Sequence, residues 1–565
     1  MVTFDEEKQN KQLDDLRRQE EEELVATLAE SKYKLPYIDL SRLGIENEAL
    51  RAIPEKDARE LKIAPFKLFG KNIFIAIRSP SDDLLAKLKD QIERENLVPI
   101  FYMASTASLE KAWSRYKELS LAESSKIGGL DISGEILRET AKKIKTIKDI
   151  EKLIENATEG NLIHKISRML EIILAGAIAI KASDIHIEPE EARSRLRLRL
   201  DGVLHDVIFF ENNIYHLLNS RIKLLSGMKL TSKIAQDGRF SIMEEKEEIN
   251  IRTSLVPGAH GESIVMRILD PKSIQMDLEE LGIESYLFSI IEQEIIKPNG
   301  LILVTGPTGS GKTTTLYAFL RKIYSPEINI ITIEDPIEYH LTGITQTQTN
   351  NERGYTFLEG LRSALRQDPD VVMIGEIRDT ETAKTVIEAA LTGHMVFSTL
   401  HTNNAAGVIP RLIDLNANPK IMVSALSLSI AQRLVRKLCL HCKVEKILNQ
   451  KQKEIMKLIM DGIKEEGKSL SNYSINPNAP IKLFSPVGCE KCNMSGYSGR
   501  IGIFEAIKTN EAIEKIMPQN PSEREIKKVA RIQGILSMRQ DGIVKILNGV
   551  TSFEEVQSVV DLLEE

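Results

Sequence analysis

The sequence predicts an α/β fold distributed over several domains. Three observations carry this. Residues 281–440 repeat one unit, an apolar β-type run that ends in a polar residue and leads into a helical pattern. One such run, Leu301–Thr305, leads directly into the glycine-rich stretch Gly306-Pro-Thr-Gly-Ser-Gly311-Lys312-Thr313 and then a helix. The chain has 565 residues, 42% of them hydrophobic, which suits three or four domains with cores of their own.

In chain order, residues 1–30 form an acidic arm. They hold ten acids against four bases, so most of the overall charge of −7 belongs to this one segment. It reads as a solvated arm or a partner-docking helix. Residues 35–118 read as a small α+β unit, with β-type runs at Ile73–Ile77 and Leu97–Met103 and helical patterns at Asp82–Glu93 and Ala107–Leu119. Residues 119–150, rich in Lys and Ser around Gly128-Gly129, read as a linker ending in a polar helix. Residues 151–280 form a second N-terminal unit. A helix near 162–180 precedes Ser183-Asp-Ile-His186, then Arg195-Leu-Arg-Leu-Arg-Leu-Asp-Gly202. Alternation in the latter puts Arg195, Arg197 and Arg199 on one strand face and three leucines on the other. Three like charges in a row repel unless an anionic partner or a subunit surface meets them.

Residues 281–435 hold the repeated β-then-helix unit, with runs at Leu301–Thr305, Ile328–Ile333, Val371–Ile374 and Met395–Phe397. Such runs indicate a parallel sheet, and in parallel sheets chemistry collects at the carboxyl ends of the strands. Residues 436–505 contain all four cysteines, and residues 506–565 read as a helical tail.

The glycine-rich stretch matches a phosphate-binding loop in full and in context. Its glycines let backbone N–H groups of Gly306, Pro307-flanking Thr308, Gly309, Ser310 and Gly311 turn toward phosphate oxygens. Lys312 reaches the β- and γ-phosphates, Thr313 offers a hydroxyl to Mg²⁺, and Thr314 continues the helix start. ATP and Mg²⁺ are the cofactors this implies. Carboxylates at the neighbouring strand ends, Glu334, Asp335 and Glu338 in one box and Glu376 in another, are candidates to hold Mg²⁺ waters and activate a water. His401, beside Thr399 at a strand end, is a candidate γ-phosphate sensor or relay. Cys439-x-x-Cys442 and Cys489-x-x-Cys492 suit a tetrahedral Zn²⁺ site, with 46 residues between the two knuckles. His441 is superfluous there, since four thiolates close the site.

The same features exclude several classes. With 75 basic and 82 acidic residues, the chain lacks the broad basic face of a nucleic-acid motor. Four cysteines in this length exclude a disulfide scaffold and suit a reducing compartment. The longest apolar run, Ile172–Ile180, is too short to span a bilayer, and the charged start carries no signal-peptide pattern, which predicts membrane contact only through partners.

The phosphate loop, Glu334-Asp-Pro-Ile-Glu338, Gly375-Glu-Ile-Arg-Asp379, the His394–His401 box and the paired Cys-x-x-Cys occur in an order that resembles the secretion superfamily ATPases. The resemblance is to the branch holding type IV pilus assembly (PilB-like) and type II secretion (GspE-like) motors. It extends from about residue 35 to the C-terminus through Gln236-Asp-Gly-Arg239, His260-Gly-Glu262 and Leu365-Arg-Gln-Asp-Pro-Asp370. It implies a RecA-like P-loop motor domain, an α+β (PAS-like) second N-terminal domain, a small α+β first N-terminal domain and a zinc-binding insertion. It further implies a cytoplasmic homo-hexamer, peripheral at the inner membrane. The second N-terminal domain would supply arginines to a neighbour's nucleotide, with Arg195 and Arg197 favoured and Arg239 included. Glu334 would activate water in preference to Glu338, with Glu376 as the Walker B acid. The first N-terminal domain would dock on a PilC/GspF-like platform protein or a cytoplasmic adaptor. The cysteine pair and the first N-terminal domain favour assembly over retraction. Some relatives bind cyclic-di-GMP through a tandem motif. This chain has one short echo, Ser41-Arg-Leu-Gly44, and no second copy, which argues against dinucleotide signalling.

Overall fold

The computed structural model describes residues 21–116, 134–157, 162–230, 234–270, 276–468 and 482–563, with Tyr473 and apart from short gaps within 41–54, 82–96 and at 70–71, 245–246 and 448. The Ser41–Gly44 echo, the start of the acidic arm and most of the expected Asp82–Glu93 helix and 119–133 linker lie outside the described residues. The chain divides into two compact units, residues 1–131 and 132–565. Among the described residues no helix is long and apolar enough to cross a membrane.

In the first unit, strand β1 (Ile63–Phe69) pairs antiparallel with β2 (Asn72–Ile77), which pairs in parallel with β3 (Val98–Met103). Helix α1 (Thr106–Ser114) starts at Ser105, whose hydroxyl accepts from the Ser108 N–H. Its indole donor, Trp113 Nε1, reaches the Ile63 carbonyl at 2.9 Å. The end of the acidic segment does not stand in solvent. A helix over 21–28 leads into buried Ala29, and it packs Val25 against Met103. Glu22 accepts from the Ser105 hydroxyl at 2.7 Å and Glu21 from the Thr106 N–H at 3.1 Å. These acids meet unpaired donors at the start of α1, where negative charge is favourable.

The second unit begins with helices α2 (Gly134–Lys142), α3 (Ile147–Asn156) and α4 (Leu162–Ala179). They cover an antiparallel sheet whose strands are β4 (Asp184–Pro189), β5 (Ser194–Leu200), β6 (Val203–Phe210), β7 (Gln236–Glu244), β8 (Glu247–Gly258) and β9 (Gly261–Leu269), in the spatial order β6-β5-β4-β9-β8-β7. Leu196 and Leu198 are fully buried in the core beneath α4, as alternation in β5 requires.

The motor sheet has the strands β10 (Gly300–Thr305), β11 (Ile330–Glu334), β12 (Thr345–Gln348), β13 (Val371–Ile374), β14 (Met395–Leu400), β15 (Leu426–Leu438) and, further on, Tyr497–Lys508. The spatial order is β12-β11-β13-β14-β10-β15, with Tyr497–Lys508 at the edge and antiparallel to β15; all other pairings are parallel. β10 is buried along its whole length. Leu301 and Leu303 enter one core and Ile302 and Val304 the other, so both faces are covered and the strand reads as an unbroken apolar run. β15 and the edge strand run across the expected borders at 435 and 505. The cysteine region is therefore an insertion between two strands of the motor sheet itself.

The C-terminal helix Met538–Leu547 packs onto this edge. Buried Asp541 accepts from the Phe504 N–H at 2.8 Å and pairs with Lys545, and both side chains are almost fully enclosed. Removing only the cation leaves a desolvated carboxylate. Lys545→Met is therefore expected to lower unfolding free energy by about 3–5 kcal/mol, and Asp541→Leu with Lys545→Met to recover much of it, by denaturant titration.

Candidate active site and metal centre

Because the parallel strands all end at one edge, the loops after β10, β11, β13 and β14 meet there. After β10 the chain turns through Gly306 at φ 145°, and a Cβ at Gly306 would lie 2.4 Å from the Gln432 carbonyl. Gly311 at φ 89° then starts the helix Lys312–Ile323, with its N–H groups aimed into the loop. Pro307, Thr308 and Gly309 form an exposed crown, Thr313 is exposed and Thr314 half-buried. The Ser310 hydroxyl is buried and has no hydrogen-bond partner, an orphaned donor in a cradle of backbone amides. Lys312 donates to the carbonyls of Gly306 (2.8 Å) and Pro307 (3.2 Å). Burial depresses its pKa, and nearby Glu376 opposes that shift. This donor set fits a nucleotide's phosphates. A cleft lined by Gly311, Thr314, Leu434, Met276, Arg267 and Arg500 continues from the loop toward the second N-terminal domain.

Glu376 lies two residues beyond β13. It pairs with Arg378, and His401 Nε2 approaches it at 3.4 Å from the end of β14. Burial raises its pKa, but Arg378 and His401 outweigh that and hold the carboxyl below its usual range. Lys312, Glu376 and His401 thus come together from three strand ends. The His401 segment is fixed because the Thr402 N–H donates to the Thr305 hydroxyl at 2.8 Å. His394 instead bonds the Ala389 carbonyl at 3.1 Å, closing the preceding helix.

Glu334 is placed differently from its expected role as water activator. It ends β11 but is 2% exposed, and its carboxylate is held by Thr332 (2.6 Å), Gln346 (3.1 Å) and Tyr317. Burial pushes its pKa up. Three donors thus enclose this carboxylate at the strand end. Glu338, the last of the three acids of that box, is one-third exposed and pairs with Arg252 of β8 at 3.2 Å.

The arginine strand also differs from expectation. Its three side chains do share a face, but each has an acid within the domain: Arg195 with Asp206 (2.6 Å), Arg197 with Glu188 (2.5 Å) and Arg199 with Asp184 (3.2 Å). The adjacent strands β4 and β6 supply the negative charge that an outside partner was expected to bring. Arg239 is exposed and has no carboxylate partner among the described residues.

Arg252, Arg378 and Tyr317 are site residues that sequence reasoning did not single out. Arg378 was visible as a neighbour of Glu376. Arg252 sits in an ordinary alternating strand, Ile249-Asn-Ile-Arg252, and only the tertiary fold brings it to Glu338.

The four cysteines converge. All four sulfurs lie within 4.8 Å of one another, with Cys439–Cys489 at 3.9 Å and Cys442–Cys492 and Cys489–Cys492 at 3.7 Å. Tetrahedral thiolates at about 2.3 Å from zinc would be about 3.8 Å apart, so the set fits Zn²⁺. Burial raises the Cys492 thiol's pKa, but N–H donors from Cys489 and Gly496, each at 3.2 Å, help bring it down to about 7. His441 points to Lys491 at 3.5 Å and is not in the cluster.

Residues 160–558 match the sequence model of type II/IV secretion system proteins, and residues 33–123 that of the MshEN domain. The type IV pilus assembly ATPase PilB of Myxococcus xanthus is 33% identical over 95% of this chain and 91% of its own length. Type II secretion system protein E of Aeromonas hydrophila is 43% identical over 70% of this chain and 75% of its own. The solved ATPase DotB of Yersinia pseudotuberculosis is 21% identical and shares the fold, at a TM-score of 0.50 over 72% of this chain and 95% of its own. Fold, loop and relatives together define a P-loop enzyme with a RecA-like sheet that hydrolyses ATP. The chain belongs to the type II/IV secretion system protein family.

Metal analysis of the purified chain should find about one zinc per chain, and Cys489→Ser should lose it and lower the thermal midpoint. A metal-free wild-type chain, purified without chelator, would end the zinc assignment.

Proposed function

We propose that this chain is a hexameric motor that couples ATP hydrolysis to pilin polymerisation at the cytoplasmic face of the inner membrane, acting through a platform protein. The observation that carries this reading is the extent of similarity. The PilB relatives match 95% of the chain, including the first N-terminal unit, whereas the type II secretion relative from Aeromonas matches 70%. The higher identity of the latter, 43% over 395 residues, supports a second reading as the motor of a type II secretion system. In either reading residues 35–118 dock on the platform or an adaptor, residues 151–280 serve the nucleotide across subunits, and residues 436–505 carry a structural zinc.

The roles follow from the geometry. Lys312 and the loop amides bind and orient the phosphates, and Thr313 with the waters near Glu376 would hold Mg²⁺. That ion, when bound, neutralises charge developing on the phosphates. Glu376 is kept ionised by Arg378 and His401, so His401 reports the state of the site to Thr402 and β10. We assign water activation to Glu338, because Glu334 is enclosed. Arg252 holds Glu338 in this conformation and would have to release it before the carboxylate could accept a proton. Among Arg195, Arg197 and Arg239, the unpaired Arg239 is the arginine best suited to meet a neighbour's nucleotide; Arg195 and Arg197 would first have to leave Asp206 and Glu188.

Steady-state phosphate release tests the enzyme. Glu376→Gln and Glu338→Gln should each keep ATP binding and lose about 100-fold or more in kcat, while Glu334→Gln should act mainly on stability. If Glu338→Gln turns over normally, water activation does not reside there. The pilus reading is tested by adding purified cytoplasmic domains of the pilus and secretion platform proteins in turn. Stimulation by the secretion platform alone would select the second reading.

A further inference from the structure

A second cleft lies apart from the nucleotide loop, in the seam between the second N-terminal sheet and the cysteine insertion. Its volume is about 340 Å³. Lys181 and His205 approach from the N-terminal side, Arg436, Lys437 and Lys491 from the other, and Asp201 is the one carboxylate of its lining. Asp201 accepts from the Gly499 N–H at 2.8 Å, and its charge acts on His205 and Arg436. Arg436 is satisfied by Glu555 at 2.6 Å and lies over the Tyr497 ring. Lys181, Lys437 and Lys491 pair with no carboxylate among the described residues; Lys491 lies 3.5 Å from the His441 ring. Burial, followed by the charge of Arg436, lowers the His205 pKa. The charges of Lys181, Lys437 and Lys491 converge on one recess from two domains, against the single carboxylate Asp201 in its lining. Such an arrangement is unfavourable until an anion enters, and the anion gains most if it touches both walls.

We propose that this seam binds a small phosphorylated anion, of the pyrophosphate or nucleotide-polyphosphate class, that bridges the second N-terminal domain and the cysteine insertion. The recess has the size of a small-molecule site. Among the described residues its two walls meet through the Gly499 N–H to Asp201 and the Ile147 N–H to Asn493 Oδ1, at 2.8 Å each. A bridging anion adds to these and fixes the pose of the N-terminal domain. Lys181, Asp201 and Gly499 also line the cleft that runs to the phosphate loop, so occupancy of the seam bears on the shape of the nucleotide site.

The test uses the full, zinc-loaded chain saturated with ADP and Mg²⁺, so that the phosphate loop is occupied. Pyrophosphate is titrated into it by calorimetry, with Lys181→Gln/Lys437→Gln and the charge-conserving Lys181→Arg/Lys437→Arg as comparisons. One saturable site is expected in the wild-type chain, at least about tenfold weaker in the glutamine variant and largely kept in the arginine variant. Hydrogen exchange should slow at the Ile147 and Gly499 amides when pyrophosphate binds. Absence of saturable binding to the ADP-loaded chain overturns the proposal, as does binding of equal strength in the glutamine variant. Binding of duplex DNA or anionic vesicles without binding of pyrophosphate would assign the lysines to a macromolecular partner and overturn it as well.

Discussion

The direction of β10 relative to its neighbours is the constraint on which the site depends. β10 runs parallel to both β14 and β15, and β11 and β13 run the same way. Parallel strands deliver their following loops to one edge. The phosphate loop, the Glu334–Glu338 box, Glu376 and His401 are far apart in sequence and meet for this reason alone. The cost of such a sheet is that both faces must be covered. The two cores that share the alternate residues of β10 meet that requirement, and their rigidity fixes the loop's entry point.

Enclosure of Glu334 shows how the edge is kept in order. A carboxylate in an apolar sheet is expensive unless every lone pair finds a donor. Thr332, Gln346 and Tyr317 supply those donors from β11 itself, from the edge strand β12 and from the helix that follows the phosphate loop. The node therefore ties the loop's helix to the strand that carries the second acidic box. Glu338, four residues on, is freed from this structural duty and is met by Arg252 from another domain.

Much of this was legible in the sequence. The β-runs, the glycine loop and the cysteine pairs rest on local patterns, and the strand ends fell within a few residues of their expected places. Ile328–Ile333 became Ile330–Glu334, and the run at Met395 extended to Leu400. What escaped depends on partners distant in sequence. Periodicity placed Arg195, Arg197 and Arg199 on one face but could not show that β4 and β6 bring an acid to each. The resemblance favoured Glu334 over Glu338, and nothing in the motif box could show that Glu334 is the buried one, since depth of burial is a tertiary property. Arg252 carried no local signal, being one polar residue of an alternating strand. The resemblance implied a zinc-binding insertion at 436–505 but not which strands bracket it, because a strand's partner cannot be inferred from the strand; β15 and the edge strand pair residues 59 to 80 apart in sequence.

That pairing gives the cysteine insertion its mechanical position. Its two ends are adjacent strands of the motor sheet, so it cannot move independently of the edge that carries Gln432, whose side chain accepts from Thr315 in the loop's helix at 2.7 Å. On its other side the turn after Cys492 contacts the second N-terminal domain through Asn493 and Gly499. The Gly496 N–H bonds to the Cys492 sulfur, so the shape of that turn is set from within the thiol cluster. A metal at the cysteines would stiffen a turn that joins two domains at the nucleotide cleft. The insertion thus lies between the nucleotide loop and the second N-terminal domain.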